Sequence, residues 1–275
     1  MTIDIASLML PVDGDHPGDG QLQDVGALAA ELGAGIIGIS VCEHAPSLYY
    51  EAGATAQDLI EEDERRLKER MAAAEKRFRK ALAGRGIPIE WRSSVDIPID
   101  FVIRESRAAD LIVCFSRREA APYSDVEPGE LVLKSGRPAL VVSEGAAWRS
   151  PSKILVAWKD AREARRAVQD SLPFLLEAEA IYVVGVGAEG TEEETQQQIV
   201  DVRQYLVRHR ITTTTGMVLR LDENATRPLM RVVRNENIDL VVAGAYGHSR
   251  FGEWAFGGVT RDLLRTCPVC CLLSH

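Results

Sequence analysis

Aliphatic residues along the chain gather in short unbroken runs, set between longer stretches where they recur every three or four positions. In the first half the runs are 8–12, 35–41 and 110–114; in the second they are 153–158, 180–186 and 239–244. Each half then closes on a proline-led run, 138–142 and 268–273. Unbroken aliphatic runs of this length predict strands buried on both faces, as in a parallel sheet. Between them, Leu22, Val25, Ala29 and Leu32 form one helical stripe, and Leu67, Met71, Ala74, Phe78 and Leu82 form another. Ile199, Val202 and Leu206 repeat the pattern in the second half, and Asn224 is placed to cap a helix carrying Met230 and Val233. Two more polar strands are expected at 87–94 and 212–219.

The halves share one plan. The motif Asp-Leu-aliphatic recurs at an offset of 239 − 110 = 129 residues, and the closing prolines at 268 − 138 = 130. Two independent anchors at nearly one offset predict a tandem duplication. The fold expected is α/β: two tandem doubly wound parallel-sheet domains, 1–145 and 151–275, with the linker inside 143–152.

Composition narrows the function class. The 275 residues are 46% hydrophobic and 27% charged, ordinary for a globular protein. Lys plus Arg is 32 against 41 for Asp plus Glu, a net charge of −9, which argues against a nucleic-acid binder. No apolar run approaches the roughly 18 residues of a membrane span, and the first residues lack the basic and apolar regions of a signal peptide. Five unevenly spaced cysteines read as reduced thiols, so a cytoplasmic protein is expected.

In a doubly wound sheet, ligands bind beyond the C-terminal strand ends. There the second half has a strand ending at Gly244, a glycine-bearing loop, and a helical pattern starting near Gly257. Glycines admit backbone N–H groups to an anion, and a helix N-terminus adds unpaired donors and partial positive charge. The alternative is a glycine loop kept for a tight turn only.

Here the sequence resembles the universal stress protein family. That family's ATP-binding pattern is Gly-x2-Gly-x9-Gly-(Ser or Thr); Gly244, Gly247 and Gly257 match it, while Gly258 stands at the Ser/Thr position. Residues 11–14 and 156–159 look like the family's first strand and turn. The resemblance implies Rossmann-like domains, similar to the adenine nucleotide alpha hydrolases, and an ATP or ADP ligand with or without Mg. It places Val186, Ala243 and Gly244 against adenine and ribose, and Gly247, His248, Gly257, Gly258 and Val259 around the phosphates, with Ala157 and Thr260 also in the site. The family's Asp after the first strand is replaced by Lys159, with Asp160 next to it; a lysine there reaches a phosphate as a point charge. In the first half Asp13 matches that Asp, but Phe115, Arg118 and 128–129 replace the glycines, so a degenerate copy is expected. The resemblance also implies an internal pseudo-dimer through 138–142 and 269–273, and is compatible with a homodimer of the whole chain.

Other signals carry less. Cys267-Pro-Val-Cys270 has redox or metal spacing but opens a strand and lacks a partner pair, so it reads as core. The 13–19 cluster departs from a calcium loop and reads as a mobile turn. The stretch 61–80 alternates charge like a solvated helix face, and the basic residues 203–210 suit a helix C-terminus. No P-loop or His-Glu-x-x-His is present. The expectation is a non-enzymatic, adenine-nucleotide-binding stress protein. The alternative is an interaction scaffold without nucleotide. A hydrolase of the related group would need a Ser-Gly-Gly-x-Asp-Ser loop that 158–161 do not resemble.

Overall fold

The structure, a computed structural model, describes residues 4–14, 16–44, 54–116, 126–143, 145–187, 189–220, 225–246 and 258–275. The first half supplies strands β1 (Ser7–Pro11), β2 (Gly35–Cys42), β3 (Ile89–Val95), β4 (Leu111–Phe115) and β5 (Ala139–Val142). The second supplies β6 (Lys153–Trp158), β7 (Ala180–Gly187), β8 (Thr214–Arg220), β9 (Leu240–Gly244) and β10 (Cys270–Ser274). They form one ten-stranded sheet in the order β3-β2-β1-β4-β5-β10-β9-β6-β7-β8. Neighbours are parallel within each half. At the junction β5 and β10 run antiparallel, with Val141 opposite Cys271 and Leu140 opposite Leu272. Each half thus has the same 3-2-1-4-5 order, joined edge to edge by its closing strand.

The repeated aspartates have a structural reason. Asp110 Oδ2 accepts the N–H groups of Ala6 at 2.9 Å and Ser7 at 3.0 Å. Asp239 Oδ2 does the same for Ser152 at 3.0 Å and Lys153 at 2.8 Å. Each carboxylate satisfies the donors that open the central strand of its half, which a sheet end otherwise leaves without partners.

Helices cover both faces. α1 (Asp19–Leu32) and α2 (Ala54–Leu82) lie over one face of the first half, α3 (Pro98–Glu105) and α4 (Pro128–Ser135) over the other. In the second half α5 (Arg162–Asp170), α6 (Leu172–Glu177) and α7 (Glu192–Arg208) take the first face. The other is covered by α8 (Thr226–Asn235) and α9 (Gly258–Thr266). The expected stripes face the core: Leu67, Met71, Ala74, Phe78 and Leu82 are all buried, as are Ile199, Val202 and Leu206. Both core layers run unbroken across the junction, through Leu140 and Leu272 on one face and Val141 and Cys271 on the other. Asn224, the expected cap of α8, lies outside the described residues; Ala225 precedes the helix.

The segment between the halves is pinned rather than loose. Trp148 is buried, its Nε1–H donates to Glu31 Oε2 at 3.3 Å, and its ring meets Phe174 edge-on at 5.7 Å. All five cysteines are buried and free, as expected of core residues. Among the described residues no helix is long and apolar enough to cross a membrane, and no cluster of three His, Cys, Asp or Glu is arranged to hold a metal.

Candidate functional site

At the C-terminal ends of β6 and β9 the second half opens a cavity of about 370 Å³. Its floor is the strand ends: Ala157 from β6, Val184 and Val186 from β7, Ala243 and Gly244 from β9. Three helices begin at its wall. α5 is preceded by Ala161 and contributes Glu163, α8 is preceded by Ala225, and α9 contributes Gly258, Val259 and Thr260. Each helix N-terminus presents unsatisfied N–H groups and about half a positive charge. Convergence of three around one apolar floor favours a ligand with a flat apolar part and an anionic part.

Chain length decides why these termini converge. Only Lys159–Ala161 separate β6 from α5, whereas Val12–Gly18 separate β1 from α1. The short connection drives α5 onto the end of β9: a Cβ built on Gly244 would stand 2.5 Å from Ala164 N and 2.6 Å from Glu163 C. Gly244 is therefore demanded by close backbone approach. The first half solves the same corner differently. β4 and β9 are both five residues long, and Phe115 ends β4 where Gly244 ends β9. The longer β1–α1 connection leaves room for Phe115, which is buried with His16 edge-on at 5.8 Å.

That connection is clamped, contrary to the mobile turn expected from its composition. Asp13 Oδ2 receives Arg70 Nη2 at 2.6 Å. Arg77 donates to the carbonyl oxygens of Gly14, at 2.6 Å, and Pro17. The alternating charges of α2 thus include two arginines that hold the first half's corner shut, and Asp13 is engaged by the chain itself.

Of the residues singled out from sequence, Ala157, Lys159, Val186, Ala243, Gly244, Gly258, Val259 and Thr260 all line the cavity. Asp160 does not; it pairs with Arg165 and lines a neighbouring groove between α5 and α7. Gly247, His248 and Gly257 lie outside the described residues. Lys159 is exposed, and Glu163, buried, meets Arg162 at 3.2 Å.

The sequence did not single out Trp158, Leu229 or Tyr246, which also line the cavity. Tyr246 sits at φ +58°, in the left-handed region that disfavours a bulky side chain. Its N–H donates to Thr260 Oγ1 at 3.2 Å, tying the end of β9 to the first turn of α9. Thr226 Oγ1 and Asp262 Oδ2, 3.2 Å apart, join α8 to α9. Burial and the Glu127 carboxylate push the Tyr246 phenol up to about 12, so it stays protonated at neutral pH. Its place between two motif glycines was the available sequence signal.

The sequence pattern of the universal stress protein family matches residues 152–275, the half that holds this cavity. The chain carries a universal stress protein domain. No match is found among curated protein sequences. Among solved structures, a universal stress protein from Archaeoglobus fulgidus DSM 4304 aligns over 98% of this chain and 97% of its own, at 12% identity and a TM-score of 0.72. A putative universal stress protein from Pseudomonas aeruginosa UCBPP-PA14 aligns over 98% and 93%, at 12% identity and a TM-score of 0.65. At that identity the likeness is one of fold, and it extends over both halves. The universal stress protein domain contributes the open corner, and the first half repeats its strand order with the corner filled.

Proposed function

We propose that this universal stress protein binds an adenine nucleotide, ATP or ADP, in the C-terminal cavity, and acts as a regulatory binding module in the cytoplasm. The observation that carries the reading is the meeting of three helix N-termini on an apolar floor lined by residues of the family's glycine pattern. The floor of Ala157, Val184, Val186 and Ala243 suits a purine ring. Gly258, Val259 and Thr260 begin α9 where phosphates gain most from backbone donors. Lys159 at the mouth adds a point charge for the anionic end, with or without Mg.

Binding rather than turnover is the better account. The ionisable side chains lining the cavity among the described residues are Lys159, Glu163 and Tyr246. Glu163 is held by Arg162, and Tyr246 keeps its proton, so neither is poised as a general base. The clamped corner of the first half, with Asp13 engaged by Arg70, supports one nucleotide per chain. The antiparallel β5–β10 junction supports reading the two halves as an internal pseudo-dimer.

The test is to denature freshly purified protein, chromatograph the supernatant for adenine nucleotide, and follow thermal unfolding with added ATP or ADP. A ligand bound only by the folded state raises the Tm with concentration. The expected result is a saturable rise that Gly247→Arg, which copies Arg118 of the first half, abolishes. No released nucleotide and no shift at millimolar ATP would overturn the reading in favour of the interaction scaffold.

A further inference from the structure

The wall of the C-terminal cavity is completed from the other half of the molecule. Tyr246 lines the cavity, and its hydroxyl reaches across the junction to the start of α4. A Cβ built on Gly129 would stand 2.0 Å from Tyr246 Oη, 3.2 Å from Tyr246 Cζ and 2.8 Å from Glu127 Oε2. Glycine at 129 is thus what makes the notch into which the phenol fits. Glu127 forms the other side, and its position is fixed because the same Oε2 accepts the N–H of Glu130 at 2.8 Å as the N-terminal cap of α4.

We infer that Glu127 and Gly129 are positioning residues for Tyr246, so that filling the C-terminal cavity and the placement of α4 in the N-terminal half are linked. Three independent features meet at this one residue. Tyr246 holds a left-handed backbone conformation, which persists only where surroundings over-determine it. It is held at the N–H by Thr260, in the first turn of the helix that borders the cavity. It is held at the other end by a notch in a helix of the opposite half. A ligand that packs on the ring or draws in the start of α9 shifts the phenol, and the phenol has no room to move past α4. By linkage, the factor by which the ligand shifts α4 between two positions equals the ratio of the cavity's affinities in those positions. The ligand is taken as the nucleotide proposed above; the contact itself does not depend on that identity.

The helix context gives the test a sign. Gly→Ala inside a helix ordinarily raises stability. At 129 the added methyl collides with the Tyr246 hydroxyl. Gly129→Ala is therefore expected to lower the Tm in the native sequence, and to lower it less in a Tyr246→Phe background, where the oxygen 2.0 Å away is gone but Glu127 Oε2 still stands 2.8 Å from the methyl. An equal change in Tm in both backgrounds would overturn the contact.

Linkage is read by amide hydrogen exchange on the full chain. Saturating ATP, confirmed by the thermal shift, is expected to slow exchange across 126–135 in the native protein, and Gly129→Ala to weaken ATP binding about five- to tenfold. Tyr246→Phe is expected to restore part of that binding to Gly129→Ala, the contact of the methyl with Glu127 Oε2 remaining. Nucleotide binding with unchanged exchange at 126–135 would overturn the linkage while leaving the nucleotide reading intact. If ATP does not bind, the nucleotide reading fails alone, and the unliganded proteins decide. Faster exchange at 258–266 in Gly129→Ala supports the linkage, and unchanged exchange there overturns it.

Discussion

Phe115 and Gly244 end equivalent strands, and each suits only the connection that faces it. Gly244 faces a three-residue connection that brings the Ala164 N–H within 2.5 Å of where a Cβ would be; Phe115 faces a seven-residue connection whose His16 packs on its ring. Gly244→Ala must push α5 off β9, because both colliding atoms are backbone. The expected loss is about 1–3 kcal/mol, read by urea unfolding. Phe115→Ala leaves a void in the first half and is expected to cost about 3–5 kcal/mol. A neutral result at Gly244 would show that α5 does not rest on the strand end.

Thr260 offers a second check on the site. Its buried Oγ1 accepts the Tyr246 N–H, so Thr260→Val strands a donor at nearly constant volume. The expected cost is about 1–3 kcal/mol, with Thr260→Ser recovering most of it.

Among the described residues, no heavy atom lies within 4 Å of where a Cβ on Gly258 would stand. A serine there, as in the family's pattern, meets none of the described residues and adds one hydroxyl beside the α9 N-terminus. Gly258→Ser is expected to lower the ATP dissociation constant about fivefold by calorimetry, the equivalent of roughly 1 kcal/mol. Weaker binding would place the phosphates elsewhere.

Asp170 gives a pH signature. Burial pushes its carboxyl above the ordinary aspartate value, against the lowering effects of the Ser274 hydroxyl, at 2.8 Å, and Arg166. A raised acid pKa means the folded state holds the proton more tightly than the unfolded chain does. Its stabilising contribution is complete below the unfolded value of 3.8 and is lost as pH rises through the folded value. Asp170→Asn, which can still accept from Ser274, is expected to be more stable than the native protein at pH 7. That advantage should shrink to nothing as unfolding is followed down towards pH 3.8. An advantage independent of pH would point to packing instead.

The thiols are expected to be nearly inert to an alkylating probe in the folded protein. Burial and the Glu127 carboxylate push Cys114 up to about 12. Burial also raises Cys270 to about 12, helped by Cys267. Cys267 is lowered by its hydrogen bond with the Cys271 thiol, so mass spectrometry should find it the first to react.

The strands and the repeated aspartates were legible because they rest on local chemistry. Aliphatic runs mark buried strands, and Asp110 and Asp239 recur because each must satisfy the same pair of N–H groups in its half. Ala157, Val186 and Ala243, which line the cavity, were singled out through the family resemblance rather than through local chemistry. What could not be read depends on where distant segments meet. Arg70 lies 57 residues from Asp13, so an alternating-charge helix gave no sign that it closes the first half's corner. Asp160 and Lys159 are adjacent in sequence, yet the turn between β6 and α5 sends Asp160 to Arg165 and away from the cavity. The meeting of Tyr246 with Gly129 requires β5 and β10 to be paired first.

That pairing has a consequence for how the protein behaves in a cell. With β5 and β10 hydrogen-bonded inside one chain, the two closing edges are already occupied, and β3 and β8 are the outer strands. A covalent tether fixes the local concentration of one half around the other, so dilution cannot separate them. Their partnership therefore holds at any expression level, whereas an association of separate chains would weaken as copies became scarce. Nor can either half exchange its partner for that of another molecule without unzipping the middle of the sheet.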